Sequence, residues 1–119
     1  GTCGMQTIVE ADGSVYPCDF YVLDAYRLGN FNTDRLVHID QKRRELQFIE
    51  QSQKLDQSCL ECPYVKLCRG GCRRNRIFDN ETGNSRNIYC EGYRMFFEHT
   101  WTRMQEIAAH VRKIHHISF

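Results

Sequence analysis

The sequence predicts a small α+β fold made of an N-terminal β-hairpin, cysteine-rich loops and a long C-terminal helix. Three observations carry this expectation. A tight-turn glycine, Gly13, separates two short runs of strand-forming residues; four cysteines crowd into Cys59-x2-Cys62-x5-Cys68-x3-Cys72; and apolar residues recur at helical spacing from Tyr93 onward. The 119 residues suffice for one small domain whose modest core a bound metal would help to staple.

Residues 6–10 and 14–16 read as strands joined by Ala11-Asp12-Gly13, where glycine supplies the positive φ of the turn. The hairpin spaces Cys3 from Cys18. Residues 19–23 form an apolar stretch, strand or buried loop, and Leu28-Gly29-Asn30 reads as a turn. Asp40 is expected to cap a helix over 41–53, with Leu46 and Ile49 facing inward. The cysteine run reads as loop: Pro63 restricts Cys62, and Gly70-Gly71 lets the backbone curl between Cys68 and Cys72. Residues 79–84 form a polar turn. In the last segment Phe97, Trp101, Met104, Ala108 and Val111 make one stripe, widened by Phe96, Ile107 and Ile114. Such a stripe is expected mostly as core, with part of it docking on a neighbouring domain.

Seven cysteines at this spacing point to metal-thiolate chemistry. Disulfides usually join residues brought together from farther along the chain, an odd count leaves one thiol over, and no secretory leader is visible. Structural zinc usually takes two knuckles a dozen or more residues apart, and here the second pair follows too soon. Iron-sulfur clusters tolerate close-set cysteines, and in bacterial two-cluster ferredoxins the last cysteine serves the other cluster. Applied to Cys72, that rule leaves one complete set, Cys59, Cys62, Cys68 and Cys90, and one set of three, Cys3, Cys18 and Cys72. The spacing leaves the fourth ligand of the second set open between a histidine, a substrate atom, solvent and an upstream cysteine.

The order Cys3-x9-Gly13-x4-Cys18, Cys59-x2-Cys62-x5-Cys68-x3-Cys72 and Cys90 resembles the seven-cysteine SPASM motif of radical S-adenosylmethionine enzymes. Within that superfamily, Asp12-Gly13-Ser14-Val15-Tyr16-Pro17-Cys18-Asp19-Phe20-Tyr21, Leu28-Gly29-Asn30 and Cys68-Arg69-Gly70-Gly71-Cys72-Arg73 resemble the C-terminal domain of anaerobic sulfatase-maturating enzymes. The resemblance implies two auxiliary 4Fe-4S clusters, the first completed by a cysteine shortly before Cys3. It implies one auxiliary-cluster domain over 1–119, with cluster binding in 1–90 and an amphipathic helix over 91–117.

The family's Cys-x3-Cys-x2-Cys motif, which holds the cluster that cleaves S-adenosylmethionine, is not in this chain, since Cys68-x3-Cys72 is followed by Asn75. The chain also opens without an initiator methionine and reads as a domain cut from a longer protein, inactive alone. In the family, a 5'-deoxyadenosyl radical abstracts hydrogen from a sulfatase cysteine or serine, oxidation gives Cα-formylglycine, and the auxiliary clusters help carry the released electron away. The implied partners are an N-terminal radical S-adenosylmethionine domain, a sulfatase peptide and an external electron acceptor. Asp19 matches the family's proposed general base; a carboxylate beside the reacting heteroatom can take its proton, and the same carboxylate can simply accept backbone N–H bonds.

Arg69, Arg73, Arg74 and Arg76 lie among the ligands, where cations offset the negative charge of a cluster and raise its potential. Arg74 and Arg76 also read as a solvated, salt-bridged face. A nucleic-acid patch is disfavoured because the run lacks interleaved aromatics. The net charge of +1 gives no bias toward nucleic acid or membrane, and the chain reads as cytoplasmic. His38, His99, His110, His115 and His116 lack ligand-like spacing and read as surface or packing residues. The rival class is a zinc-stabilised interaction module without redox chemistry. Zinc in an aerobically purified fragment would not decide for it, since thiolates vacated by iron can take up zinc.

Overall fold

Gly13 turns the chain with φ +85°, and Asp12 fixes the turn by accepting from the Ser14 N–H and hydroxyl, each at 2.9 Å. In the computed structural model, which describes residues 1–115, this turn pairs β1 (Ile8–Val9) antiparallel with β2 (Ser14–Tyr16), Ile8 opposite Tyr16. The predicted hairpin forms, with a first strand shorter than expected. Leu28-Gly29-Asn30 is not the turn expected from sequence. Gly29–Asn30 forms β3 on the other edge of β2, with Val15 opposite Gly29. The reason is packing: the Leu28 N–H donates to the Val15 carbonyl at 2.8 Å, and Leu28 joins Val15 and Ile39 in the buried cluster.

The helix expected over 41–53 starts earlier and is split. Helix α1 (Leu36–Leu46) ends where Gln47 takes φ +47°, and α2 (Phe48–Ser52) follows. Asp40 lies inside α1 rather than at its cap and pairs with Arg43, Nε to Oδ1 3.8 Å. The stripe that docks on the sheet begins at Ile39, one residue upstream of the supposed cap. Leu46 packs against the cluster, while in α2 Phe48 and Ser52, rather than Ile49, are the buried residues. Arg43 ties α1 to the run-in of β1 by donating to the Gln6 carbonyl and to Thr7 Oγ1.

The cysteine run is more ordered than the expected loop, with helical turns α3 (Gln57–Leu60) and α4 (Val65–Cys68). The polar turn over 79–84 links a second hairpin, β4 (Arg76–Phe78) and β5 (Ser85–Asn87), with Ile77 opposite Arg86. Gly1–Asn87 forms one compact unit and the residues from Ile88 onward a second.

The second unit is built on α5 (Cys90–His115). The last two residues of the helix expected over 91–117, and His116, lie outside the described residues. The stripe is not the core expected: Phe97 and Met104 are half-buried, whereas Phe96, Trp101, Ile107, Val111 and Ile114 are exposed. A lone helix has no second layer of its own in which to bury a stripe. His38, His99 and His110 are exposed, as expected. Among the described residues no helix is long and apolar enough to cross a membrane.

Candidate metal centre

All seven cysteines carry free thiols. Cys3 precedes β1, where its N–H donates to Ser52 Oγ at 2.9 Å. Cys18 follows β2 and opens a single 3-10 turn, Asp19–Tyr21. Cys59 is buried on α3, whose start is capped by Asp56 accepting from the Ser58 N–H at 2.9 Å. Cys62 follows as its N–H donates to the Cys59 carbonyl at 3.2 Å. Cys68 ends α4, and three residues with positive φ, Arg69 at +51°, Gly70 at +76° and Gly71 at +61°, swing the chain round to Cys72. A Cβ on Gly70 would stand 2.5 Å from Leu55 Cδ2, so this turn needs glycine for space as well as for φ. Cys90 heads α5 in the second unit.

Four of these thiols act electrostatically on Arg76. Its buried guanidinium lies within electrostatic reach of Cys3, Cys59, Cys72 and Cys68. Burial lowers the Arg76 pKa, and the four thiols act against that shift. Cys3 and Cys72 also lie within electrostatic reach of the Tyr21 hydroxyl, and Cys3 within reach of Cys18. Among the described residues, no three His, Cys, Asp or Glu side chains are gathered closely enough to hold one metal ion.

The lining has the charge an anionic cluster requires. Arg73 and Arg76 are 5% and 7% exposed, so the solvated face expected for Arg76 is not found; Arg74 is exposed, as expected. Six acceptors draw Arg76 inside. It donates through Nε to Gly70 O (2.9 Å), through Nη1 to Ser52 O (2.7 Å) and Ser85 Oγ (3.4 Å), and through Nη2 to the carbonyls of Gly1 (3.1 Å), Arg69 (3.2 Å) and Gly71 (2.8 Å). Arg73 sits among the rings of Phe48, Tyr21, Phe78 and Tyr26 and donates to Phe48 O at 3.0 Å and Gln51 Oε1 at 2.7 Å. Its Nε–H is buried without a hydrogen-bond partner among the described residues. Neither arginine pairs with a carboxylate there. Two buried cations without counter-charge are costly alone, and an anionic cluster held by these thiolates would supply that charge.

The sequence offered four arginines as cations for a cluster; the burial that singles out Arg73 and Arg76 was not legible. A signal was present nonetheless: between Glu61 and Asp79 there are four arginines and one lysine and no acidic residue. Asp19 is exposed, and its Oδ1 accepts from Cys18 Sγ at 3.3 Å and from the Phe20 N–H at 3.1 Å. The Cys18 thiol pKa is raised, first by burial and then by Asp19, against the pull of the Phe20 N–H.

Residues 3–63 match the SPASM family, described as an iron-sulfur cluster-binding domain. The chain is 42% identical over 94% of its length to the cysteine-type anaerobic sulfatase-maturating enzyme of Clostridium perfringens, of which it spans only 30%. It is 34% identical over 82% of its length to the serine-type anaerobic sulfatase-maturating enzyme of Bacteroides thetaiotaomicron, spanning 24% of that protein. Among solved structures, native anSMEcpe with bound AdoMet superposes with a TM-score of 0.79 at 42% identity, over 92% of this chain and 30% of that one. The same protein with bound AdoMet and the Cp18Cys peptide gives 0.80 at 41% identity, over 93% of this chain and 31% of that one. With its cysteines, its glycine turn and its two buried cations so arranged, this chain belongs to the SPASM family of iron-sulfur cluster-binding domains.

Proposed function

We propose that this chain is the auxiliary-cluster domain of a radical S-adenosylmethionine enzyme that oxidises a cysteine or serine of a sulfatase to Cα-formylglycine. The observation that carries the reading is the buried Arg76, which donates to the carbonyls of Gly1, Ser52, Gly70 and Gly71, the backbone that leads to Cys3, Cys68 and Cys72. The similarity to sulfatase-maturating enzymes of both types supports the substrate class.

Residues 1–119 act as one cluster-binding domain in this reading, with the radical chemistry and S-adenosylmethionine in a separate N-terminal domain. Cys3, Cys18 and Cys72 hold one 4Fe-4S cluster together with a fourth ligand from outside this chain. Cys59, Cys62, Cys68 and Cys90 hold the other. Such clusters accept and pass on single electrons. Arg73 and Arg76 offset their negative charge and favour electron uptake, and the electron leaves to an external acceptor. Asp19 is the general base that takes the proton of the substrate thiol or hydroxyl. The Cys18 thiol that now donates to Asp19 loses its proton on ligation, which leaves that carboxylate oxygen open to a substrate proton.

Anaerobic reconstitution of the full-length enzyme, followed by iron and sulfide analysis and paramagnetic resonance, tests the reading. Iron and sulfide sufficient for two clusters beyond the radical domain's own, together with formylglycine in a sulfatase peptide by mass spectrometry, is the expected result. Colourless protein that holds only zinc after reconstitution would defeat it.

A further inference from the structure

We infer that Arg76 is a positioning residue shared by the two cysteine sets, so that one side chain fixes the backbone on which both clusters are held. The inference rests on the cluster-binding function just proposed. A guanidinium has five N–H donors in a fixed planar fork, and here the fork reaches three separate stretches of chain. Nη2 meets the carbonyl of Gly1, two residues before Cys3. Nη1 meets the carbonyl of Ser52, whose hydroxyl accepts the Cys3 N–H. Nε and Nη2 meet the carbonyls of Gly70 and Gly71, the turn that joins Cys68 to Cys72.

Ser85 extends the connection to the second set. Its Oγ accepts from Arg76 and donates to the Lys54 carbonyl at 2.8 Å, and its carbonyl accepts the Asp56 N–H at 3.0 Å. Asp56 in turn caps the helical turn that carries Cys59. Asn87 holds the far side of the glycine turn, donating to the Gly70 and Cys72 carbonyls at 3.2 and 3.3 Å. Cys3 and Cys72 belong to the first set and Cys59 and Cys68 to the second; Arg76 bonds the backbone beside Cys3, Cys68 and Cys72 directly and reaches that of Cys59 through Ser85 and Asp56. Its charge adds to its geometry: a permanent cation beside two anionic groups stabilises their reduced forms.

The test uses the full-length enzyme, anaerobically loaded, with Arg76→Met and Arg76→Lys beside wild type and Ile39→Ala. Ile39 is fully buried in the cluster with Val15 and Leu28, so Ile39→Ala loosens the fold without touching the cysteine backbone. Two quantities are read: the rate of iron release to a chelator, resolved by cluster through paramagnetic resonance, and the midpoint potential of each auxiliary cluster. Arg76→Met is expected to release iron from both auxiliary clusters about tenfold faster or more, with both potentials shifted negative. Arg76→Lys keeps the charge and loses the fork, so release accelerates while the potentials stay near wild type. If Arg76→Met does not fold, Arg76→Lys decides by that split.

Wild-type retention and potentials in Arg76→Met would overturn the inference, as would loss confined to one cluster or equal loss in Ile39→Ala. Failure of the wild-type enzyme itself to hold auxiliary clusters would sink the underlying function instead.

Discussion

Arg73 lays its guanidinium on the Phe48 ring, Cζ 4.6 Å from the centroid, and donates through Nη1 to the carbonyl of the same residue at 3.0 Å. The ring is part of an aromatic box: Tyr21 meets Phe48 edge-on at 4.9 Å and Tyr26 at 4.7 Å. Lysine cannot serve both the Phe48 carbonyl and the Gln51 amide oxygen while lying flat on a ring. Arg73→Lys is expected to cost about 2 kcal/mol, read by denaturant unfolding of the reduced, metal-free chain. An unchanged midpoint would show that the box does not depend on the fork.

Gly70→Ala should be costly for two reasons. The backbone stands at φ +76°, and the new methyl would meet Leu55 Cδ2 at 2.5 Å and Arg76 Cζ at 3.0 Å. The left-handed conformation alone costs an L-residue about 1–2 kcal/mol, and displacing Arg76 spreads the effect to the cysteine backbone. Lower stability and incomplete iron loading are expected together. Gly92→Ala, where a Cβ would meet nothing within 4 Å, is the comparison.

Three turns make the fold sensitive to acid. The Asp12 carboxyl is held below its ordinary pKa by the Ser14 N–H and hydroxyl, Asp56 by the Ser58 hydroxyl and N–H, and Asp79 by the Thr82 N–H and hydroxyl. A carboxyl lowered in the folded state gives stability that is complete above its unfolded pKa, about 4, and lost as pH falls through the folded value. The unfolding midpoint should be level near neutrality and fall below about pH 4. Asp56→Asn keeps a competent cap and should flatten part of that fall; an identical acid profile would rule Asp56 out as a contributor.

Asp19→Asn in the full-length enzyme should leave the iron content intact and slow substrate oxidation about a hundredfold or more, the usual weight of a positioned general base. Peptide turnover by mass spectrometry, alongside iron analysis, checks this. Normal turnover would remove Asp19 as the base and leave it the role of accepting the Phe20 N–H.

The features legible in the sequence were those with local causes. Gly13 announces its turn whatever the rest of the chain does, the period of α5 is written in consecutive residues, and the cysteine gaps need no fold to be read. What escaped depends on residues distant in sequence. Gly29–Asn30 becomes a strand because Val15 offers an edge and Leu28 a buried neighbour. Gln47 breaks a continuous helical pattern in a conformation its composition does not advertise. Arg76 is the clearest case. An arginine is ordinarily a surface residue, and only acceptors as far apart as Gly1 and Ser85 draw this one inside.

The two buried guanidiniums make iron supply a question of protein survival. A chain denied its clusters must keep Arg73 and Arg76 out of water with no anion to balance them, and it relieves that cost by opening. Opened segments are what proteases cut. Cells starved of iron are therefore expected to clear this polypeptide faster than replete cells, and pulse-chase labelling of wild type beside Arg76→Met would measure it. Equal lifetimes of the wild-type chain in both conditions would count against the coupling. The same pair of cations proposed to ready the domain for electrons would then also mark for disposal every copy that never received its metal.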